Sequence, residues 1–339
     1  MRNDMEKRFL TANSAAHLLV DAVCASAVVS ASAADLLTVF ILYNTFAFST
    51  QCVLGLLTDR YGHCRILAPA ACFWVALCGA LPLQATWIAV MIGLGNSLFH
   101  VSAGSTVMEI SDGRAAPLGF FVAPGALGVF AGKVFPRFRT VFCILLTLTA
   151  LWLLAEYRLE RKQPVSVPDE EEPTREYLGM ALLLLLAVMT RAIGGSVAVI
   201  SRQLMTWQNA LLIFTVFAGK SLGGIISDRI GIRKMTGISL PIAAILILIT
   251  GRSFTAGTVG QFLLNLSMPV TLFLIYRCLP KAPGFSFGLA ASALWPGTLI
   301  GNYISISEKI RTALLLFCFG ISLVSILYSE RKISHEKSN

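Results

Sequence analysis

Apolar residues run along this chain without the three-to-four-residue beat of a half-buried helix. In "YLGMALLLLLAVMT", from Tyr177, and "LPIAAILILITG", from Leu240, every face of a helix would be hydrophobic. Such a helix is surrounded by lipid or by other apolar helices, and about 20 residues of it cross a bilayer. Breaks at charge clusters, glycine and proline predict about twelve spans. Six fall near 12–33, 36–57, 66–84, 87–110, 116–134 and 139–157, and six near 177–199, 206–227, 234–251, 255–277, 284–305 and 311–329. The one long polar stretch, "RLERKQPVSVPDEEEPTRE" at 158–176, has the composition of a flexible linker. The expected organisation is therefore an all-α membrane protein with an N-terminal six-helix bundle at 1–157, a cytoplasmic linker at 158–176 and a C-terminal six-helix bundle at 177–339.

Composition agrees. Of the 339 residues 13% are charged and mean hydropathy is +0.74, where a soluble domain carries about 25% charged residues. A net charge of +9 would suggest nucleic acid in a soluble protein, but the positions of the basic residues point elsewhere. With the N-terminus in the cytoplasm, Lys133, Arg137, Arg139, Arg202, Arg252, Lys309 and Arg311 fall on outward loops, and Arg191 and Lys220 fall inside spans or at their ends. The other 18 of the 27 Lys and Arg are cytoplasmic. This positive-inside bias places both ends in the cytoplasm. The cationic excess reads as topology and contact with anionic lipid, with no nucleic-acid partner.

The basic start and the small residues of "SASAA" have the look of a cleaved signal. His17 and Asp21 would then interrupt its apolar core, so a retained first helix is expected. The eight cysteines stand singly, mostly in apolar segments. None has zinc-ligand spacing, and no disulfide is expected.

Two charged hairpins repeat. "GLLTDRYGHCR" begins at Gly55 and "GIISDRIGIRK" at Gly224. Each falls on the cytoplasmic side, between the second and third span of its half. Gly55 and Gly224 would let neighbouring helices approach closely, and Gly62 and Gly231 would permit a tight reversal. Asp59 and Asp228 stand where a carboxylate can pair with arginine or cap a helix N-terminus. With Arg60, Arg65, Arg229 and Lys234, and with Glu109 and Lys220 at nearby span ends, they read as a releasable cytoplasmic latch.

The pattern G-x-x-x-D-R-x-G-x-x-(R/K), once in each half, resembles the signature loop of the major facilitator superfamily, over a chain whose span count and linker are also similar. The resemblance implies two six-helix bundles rocking around a midplane site by alternating access, in a chain acting as a monomer. His63-Cys64 departs from the basic residue usual in the first loop.

Charged groups inside a span are costly and are functional candidates by default. In "TANSAAHLLVDAVCAS" His17 and Asp21 stand four apart on one helix face, extended by Asn13. In "IGLGNSLFHVSAGSTVMEIS" Asn96 and His100 repeat the spacing. Counting 1.5 Å per residue puts Asp21 and His100 at similar depth near mid-membrane, with Arg191 near the midplane in the seventh span. Gln261 and Asn265 share a face of the tenth, lining a cavity or joining helices. A purely structural Asp–His or Asp–Arg pair is the alternative. "AHLLVDAV" and "GLGNSLFHVSAG" are similar to patterns of the fosmidomycin-resistance branch, which implies His17, Asp21 and His100 as site residues and efflux as the direction. Here His100 is followed by Val101-Ser102, where the branch often has Pro-Glu. "PLGFFVAPGALGVFAGK" in the fifth span is an imperfect likeness of the antiporter motif, and also a glycine pattern suited to close helix packing.

There is no phosphate-binding loop, no catalytic triad, no zinc-protease motif and no strand before "GLGNSL" to make a dinucleotide site. The expectation is a gradient-driven transporter without a cofactor, not an enzyme, in the cell inner membrane. Its partners are protons, lipid and a small anionic or amphiphilic solute. Asp21 is the first candidate to carry the proton and His100 the second, because imidazole titrates near neutral pH. Three alternatives remain: an uptake symporter, a divalent-metal exporter using His17, Asp21 and His100, and a transport-dead sensor of the same fold. The topology is directly testable. A cysteine at Glu171 should react with an impermeant thiol reagent only in inverted vesicles, and labelling in intact cells would reverse the orientation.

Overall fold

The computed structural model describes residues 2–62, 64–160, 175–197, 205–249, 253–297, 299 and 307–336. Most of the linker, His63 and much of the eleventh span lie outside these residues. The described elements are helices: α1 (Arg2–Val29), α2 (Leu36–Asn44), α3 (Gln51–Tyr61), α4 (Cys64–Ala80), α5 (Ala85–Ile110), α6 (Ala116–Val134), α7 (Arg139–Glu160), α8 (Arg175–Val197), α9 (Thr206–Ile230), α10 (Ile232–Leu248), α11 (Phe254–Asn265), α12 (Ser267–Cys278), α13 (Pro283–Ser292) and α14 (Glu308–Glu336). A π-helical turn, Thr45–Ser49, joins α2 to α3 as one span, and α11 continues into α12. Among the described residues nine helical stretches are long and apolar enough to cross a membrane, and Arg65–Ala80 is a shorter apolar helix.

All twelve expected spans have a helical counterpart, several of them longer than the apolar run alone. α1 begins ten residues before the expected start at 12, and α14 runs to Glu336, well beyond 329. Polar ends such as "RNDMEKR" carry no hydropathy signal, yet the backbone hydrogen bonds continue through them.

The chain divides into two compact units. The first holds residues 1–112, 120–172 and 281–292; the second holds 113–119, 173–280 and 293–339. In the first, α1 and α5 are the inner helices, with 72% of their apolar windows buried against 22% for α7. Val20, Ile92, Phe99, Phe121 and Leu146 are fully buried there. In the second, the Phe254–Cys278 span is the inner one, again with 72% buried. Outward leucine and isoleucine such as Leu182 and Ile245 are well exposed, as lipid-facing positions should be.

Proline and glycine shape both inner regions. Pro269 has no backbone N–H, and its ring crowds the carbonyl four residues back; the inner span of the second unit breaks there, at Leu266. Pro124 lies inside α6, which runs on through it but lacks that one backbone donor. Glycines then bring α6 onto α1 at backbone distance. A Cβ at Gly128 would stand 2.0 Å from the Leu18 carbonyl oxygen, and one at Gly132 would stand 2.3 Å from that of Ala22.

Gly128→Ala should therefore destabilise the purified protein by about 1–3 kcal/mol through overpacking, read as a lower unfolding temperature. Gly179→Ala, with nothing within 4 Å of the added carbon, should be neutral or stabilising by up to about 1 kcal/mol. Equal effects at the two positions would contradict the close α1–α6 approach.

Candidate functional site

The polar pairs of α1 and α5 meet in the first unit. His17 and Asp21 project from one face of α1, and Asn96 and His100 from one face of α5. Asn96 Nδ2 donates to Asp21 Oδ1 at 3.0 Å. His17 Nε2 lies 3.4 Å from Asp21 Oδ2, and His100 Nε2 lies 3.9 Å from Asp21 Oδ1. The two histidines face each other, Nε2 to Nε2, at 2.9 Å. Phe99 and Phe121 pack around the His17 ring. Asn96 also reaches the Cys24 thiol at 3.8 Å, and that thiol donates to the Ile92 carbonyl oxygen at 3.9 Å. Asn13, one turn before His17, donates to the Phe9 carbonyl, and its buried Oδ1 has no partner among the described residues.

Backbone chemistry fixes both rings. His17 Nδ1 is 2.8 Å from the Phe121 carbonyl oxygen, and His100 Nδ1 is 2.9 Å from that of Asn96. A carbonyl only accepts, so each Nδ1 carries a hydrogen. Each neutral ring therefore presents an Nε2 lone pair to the other. Two lone pairs at 2.9 Å repel; one proton between them makes an N–H···N hydrogen bond, with the Asp21 carboxylate beside it to balance the charge.

The Pro124-Gly125 pair of α6 builds this seat. Pro124 leaves the Phe120 carbonyl without its helical donor, and Ser14 Oγ donates to it at 3.3 Å. The next carbonyl, Phe121, takes His17. A Cβ at Gly125 would stand 2.4 Å from His17 Nε2 and 2.5 Å from Asp21 Oδ2, so a side chain there would push the His17 ring and the Asp21 carboxylate out of this arrangement.

The same three side chains offer ligand atoms within 4.8 Å of one another, a set that could hold a metal ion. Two imidazole nitrogens bound at about 2.1 Å to a tetrahedral ion stand about 3.4 Å apart. The separation here is shorter, and it is a hydrogen-bond length.

Arg191 lies in the second unit, on α8, and is 8% exposed. Its Nη1 donates to Ser267 Oγ at 3.2 Å and Thr271 Oγ1 at 3.0 Å, both on α12. Gln261 Nε2 is 3.5 Å from the Gly195 carbonyl oxygen, and Asn265 Nδ2 donates to the Gln261 carbonyl. Sequence reasoning missed Ser267 and Thr271, although two hydroxyls four apart in "NLSMPVTLF" are a legible signal. It also missed the Phe121 carbonyl, for which side-chain chemistry gives no sign.

The two hairpins have matching geometry. Asp59 accepts from the backbone N–H groups of Gly284 at 2.8 Å and Phe285 at 2.7 Å, in the first turn of α13. Asp228 accepts from those of Ala115 and Ala116, both at 2.9 Å, where α6 begins. Each aspartate thus caps a helix from the opposite half of the sequence. A Cβ at Gly55 would stand 2.3 Å from the Gly284 carbonyl oxygen, and one at Gly224 would stand 2.5 Å from that of Ala115. Gly62 and Gly231 have φ of +70° and +89°, which side chains disfavour. Arg65 pairs with Glu109 at 3.5 Å. In the second hairpin Arg233, not Lys234, pairs with a carboxylate, Glu330 at 3.5 Å. Arg60 and Arg229 are exposed. Lys220 lies on α9, where Gly119 meets its backbone carbonyl.

No family model and no curated protein matches this sequence. Solved structures do. A variant of the Escherichia coli fucose:proton symporter FucP superposes with TM-score 0.66 at 14% identity, over 96% of this chain and 97% of the other. FucP in the outward conformation, titled as a major facilitator superfamily transporter, gives 0.61 at 14% identity over 94% and 98%. A bacterial homologue of the iron transporter ferroportin, in the outward-facing state, gives 0.62 at 12% identity over 99% and 100%. The chain has the fold of major facilitator transporters.

The first N–H groups of a helix lack intrahelical acceptors, so the aspartates should control their protection. In Asp59→Ala the amides of Gly284 and Phe285 should exchange with deuterium about tenfold faster or more, given about 1.5–3 kcal/mol per charged hydrogen bond. Arg60→Ala should leave them unchanged. Unaltered protection in Asp59→Ala would remove the cap.

Proposed function

We propose that this protein is a secondary transporter which couples movement of a small anionic or amphiphilic solute to protons, with the proton held between His17 and His100 beside Asp21. One observation carries the reading: two histidines with both Nδ1 hydrogens committed to carbonyls and their Nε2 atoms 2.9 Å apart. Loss of the shared proton would set two lone pairs against each other and leave Asp21 uncompensated in a medium of low dielectric. The side chains of α1 and α5 would then have to rearrange. That gives the proton mechanical leverage on the inner helices of the first bundle. Asp21 acts as counter-charge, and the imidazole pair is the carrier.

Arg191 supports the anionic character of the solute. It is buried, and its partners among the described residues are hydroxyls. The symmetrical caps at Asp59 and Asp228 support a cytoplasmic latch that opens and closes with alternating access between the halves 1–157 and 177–339. The protein would sit in the cell inner membrane as a monomer, both ends cytoplasmic. Export by antiport is the direction favoured by the resemblance of the first and fourth spans to efflux pumps.

A divalent-metal exporter is the second reading, supported by the donor set of His17, Asp21 and His100. Proteoliposomes loaded with a pH-sensitive dye separate the two. A panel of small carboxylates and lipophilic drugs should contain a solute whose movement is accompanied by proton flux. His100→Ala and Asp21→Asn should abolish that flux and gradient-driven accumulation while leaving solute-for-solute exchange, which needs only the rocking motion. Proton flux unchanged in His100→Ala would overturn the proton site. Flux driven by zinc or manganese and by no organic solute would establish the metal reading instead.

A further inference from the structure

We infer that Arg191 is the recognition point for a single carboxylate group, gripped side-on by the Nε–Nη2 edge of its guanidinium; this deepens the transport reading above and rests on it. A guanidinium has five N–H donors in a rigid plane. The two on Nη1 are taken by Ser267 Oγ and Thr271 Oγ1. Those hydroxyls have no choice of role, because their own hydrogens go to backbone carbonyls, Ser267 to Leu264 at 2.8 Å and Thr271 to Met268 at 2.9 Å. They act as a fixed pair of acceptors, one turn apart on α12, that clamps one corner of the plane. The break at Leu266, imposed by Pro269, places Ser267 at the first position of the helix bearing that clamp.

The opposite edge carries the remaining three N–H groups, which have no acceptor among the described residues. No Asp or Glu among the described residues pairs with Arg191, although the side chain is more than nine-tenths buried. Burying a lone cation is costly, and an anion that completes both the charge and the hydrogen bonds removes the cost. The Nε and Nη2 hydrogens point in parallel, which matches the two oxygens of a flat carboxylate. A tetrahedral dianion such as phosphate needs a second positive charge and more donors, and among the described residues no second cation shares the Ser267–Thr271 clamp. Gln261 stands by Gly195, one turn further along the Arg191 face of α8, with a long 3.5 Å bond. Its amide is a second, weakly held donor for a polar group on the same solute.

The test is binding to purified full-length protein in nanodiscs, followed by thermal stabilisation and calorimetry. The probes are acetate, lactate, benzoate and octanoate, each beside its neutral amide, with inorganic phosphate as the tetrahedral control. At least one carboxylate should bind, its amide should bind about 10- to 100-fold more weakly, and phosphate should not compete. Arg191→Lys keeps the charge but loses the planar fork, and should weaken the carboxylate by about tenfold or more. Thr271→Val releases one corner of the clamp and should weaken it several-fold without abolishing it. If Arg191→Lys fails to fold, Thr271→Val and the comparison of carboxylate with amide still decide. The inference is overturned if no carboxylate binds, if amide and acid bind equally, if phosphate competes, or if Arg191→Lys binds as wild type does. Carboxylate binding without any flux in proteoliposomes would instead sink the transport reading and leave this site standing.

Discussion

Hydrocarbon offers no hydrogen bonds, so every polar group inside a membrane-spanning bundle must be matched by protein or by cargo. That constraint organises both units. Along most helices it is met by side chains folding back on their own backbone, as Thr190 and Ser322 do onto carbonyls one turn away. It is met only in part at several buried atoms, Asn13 Oδ1, Gln51 Oε1 and Glu156 Oε2 among them, and at two places that bear on the proposed transport. The His17–Asp21–His100 cluster has one proton position between two lone pairs, and Arg191 has one edge without an acceptor among the described residues. On the proposed reading these two places are where a proton and a solute would act.

Backbone irregularity makes both places possible. A regular α6 would keep its carbonyls for itself and hold α1 away with its side chains. Pro124 frees one carbonyl for Ser14, the next accepts His17, and the glycines at 125, 128 and 132 let α1 settle at contact distance. Pro269 does the corresponding work in the second unit, where the helix restarts with Ser267. The hairpin aspartates use the same physics at helix ends. N–H groups that have no partner in their own helix take a carboxylate from a distant part of the chain.

The span pattern was legible because hydropathy and helix length are properties of single segments. So was the duplicated hairpin, whose glycine spacing carries its own geometry, and so were the paired polar residues of α1 and α5, since four-residue spacing fixes a shared helix face. Tertiary detail was not. Hydropathy could not show that α1 continues through a charged N-terminal stretch. Side-chain chemistry could not show that the partner of His17 is the Phe121 carbonyl, nor that Arg191 would be met by Ser267 and Thr271 rather than by an acid. Arg233 and Lys234 are adjacent and alike in charge, and only the position of Glu330 on α14 distinguishes them. The residue count along the first span places Asp21 near mid-membrane, but it could not show that the His17 and His100 rings face each other beside it.

Nitrogen NMR of protein labelled only in histidine reads that place directly. The chain has four histidines, and single His→Gln variants assign His17 and His100. A shared proton requires both rings to show a protonated Nδ1 and a hydrogen-bonded Nε2, with one proton exchanging between the two Nε2 atoms and both signals disturbed together in Asp21→Asn. Two rings that titrate independently, or an Nδ1 without its hydrogen in either, would contradict it.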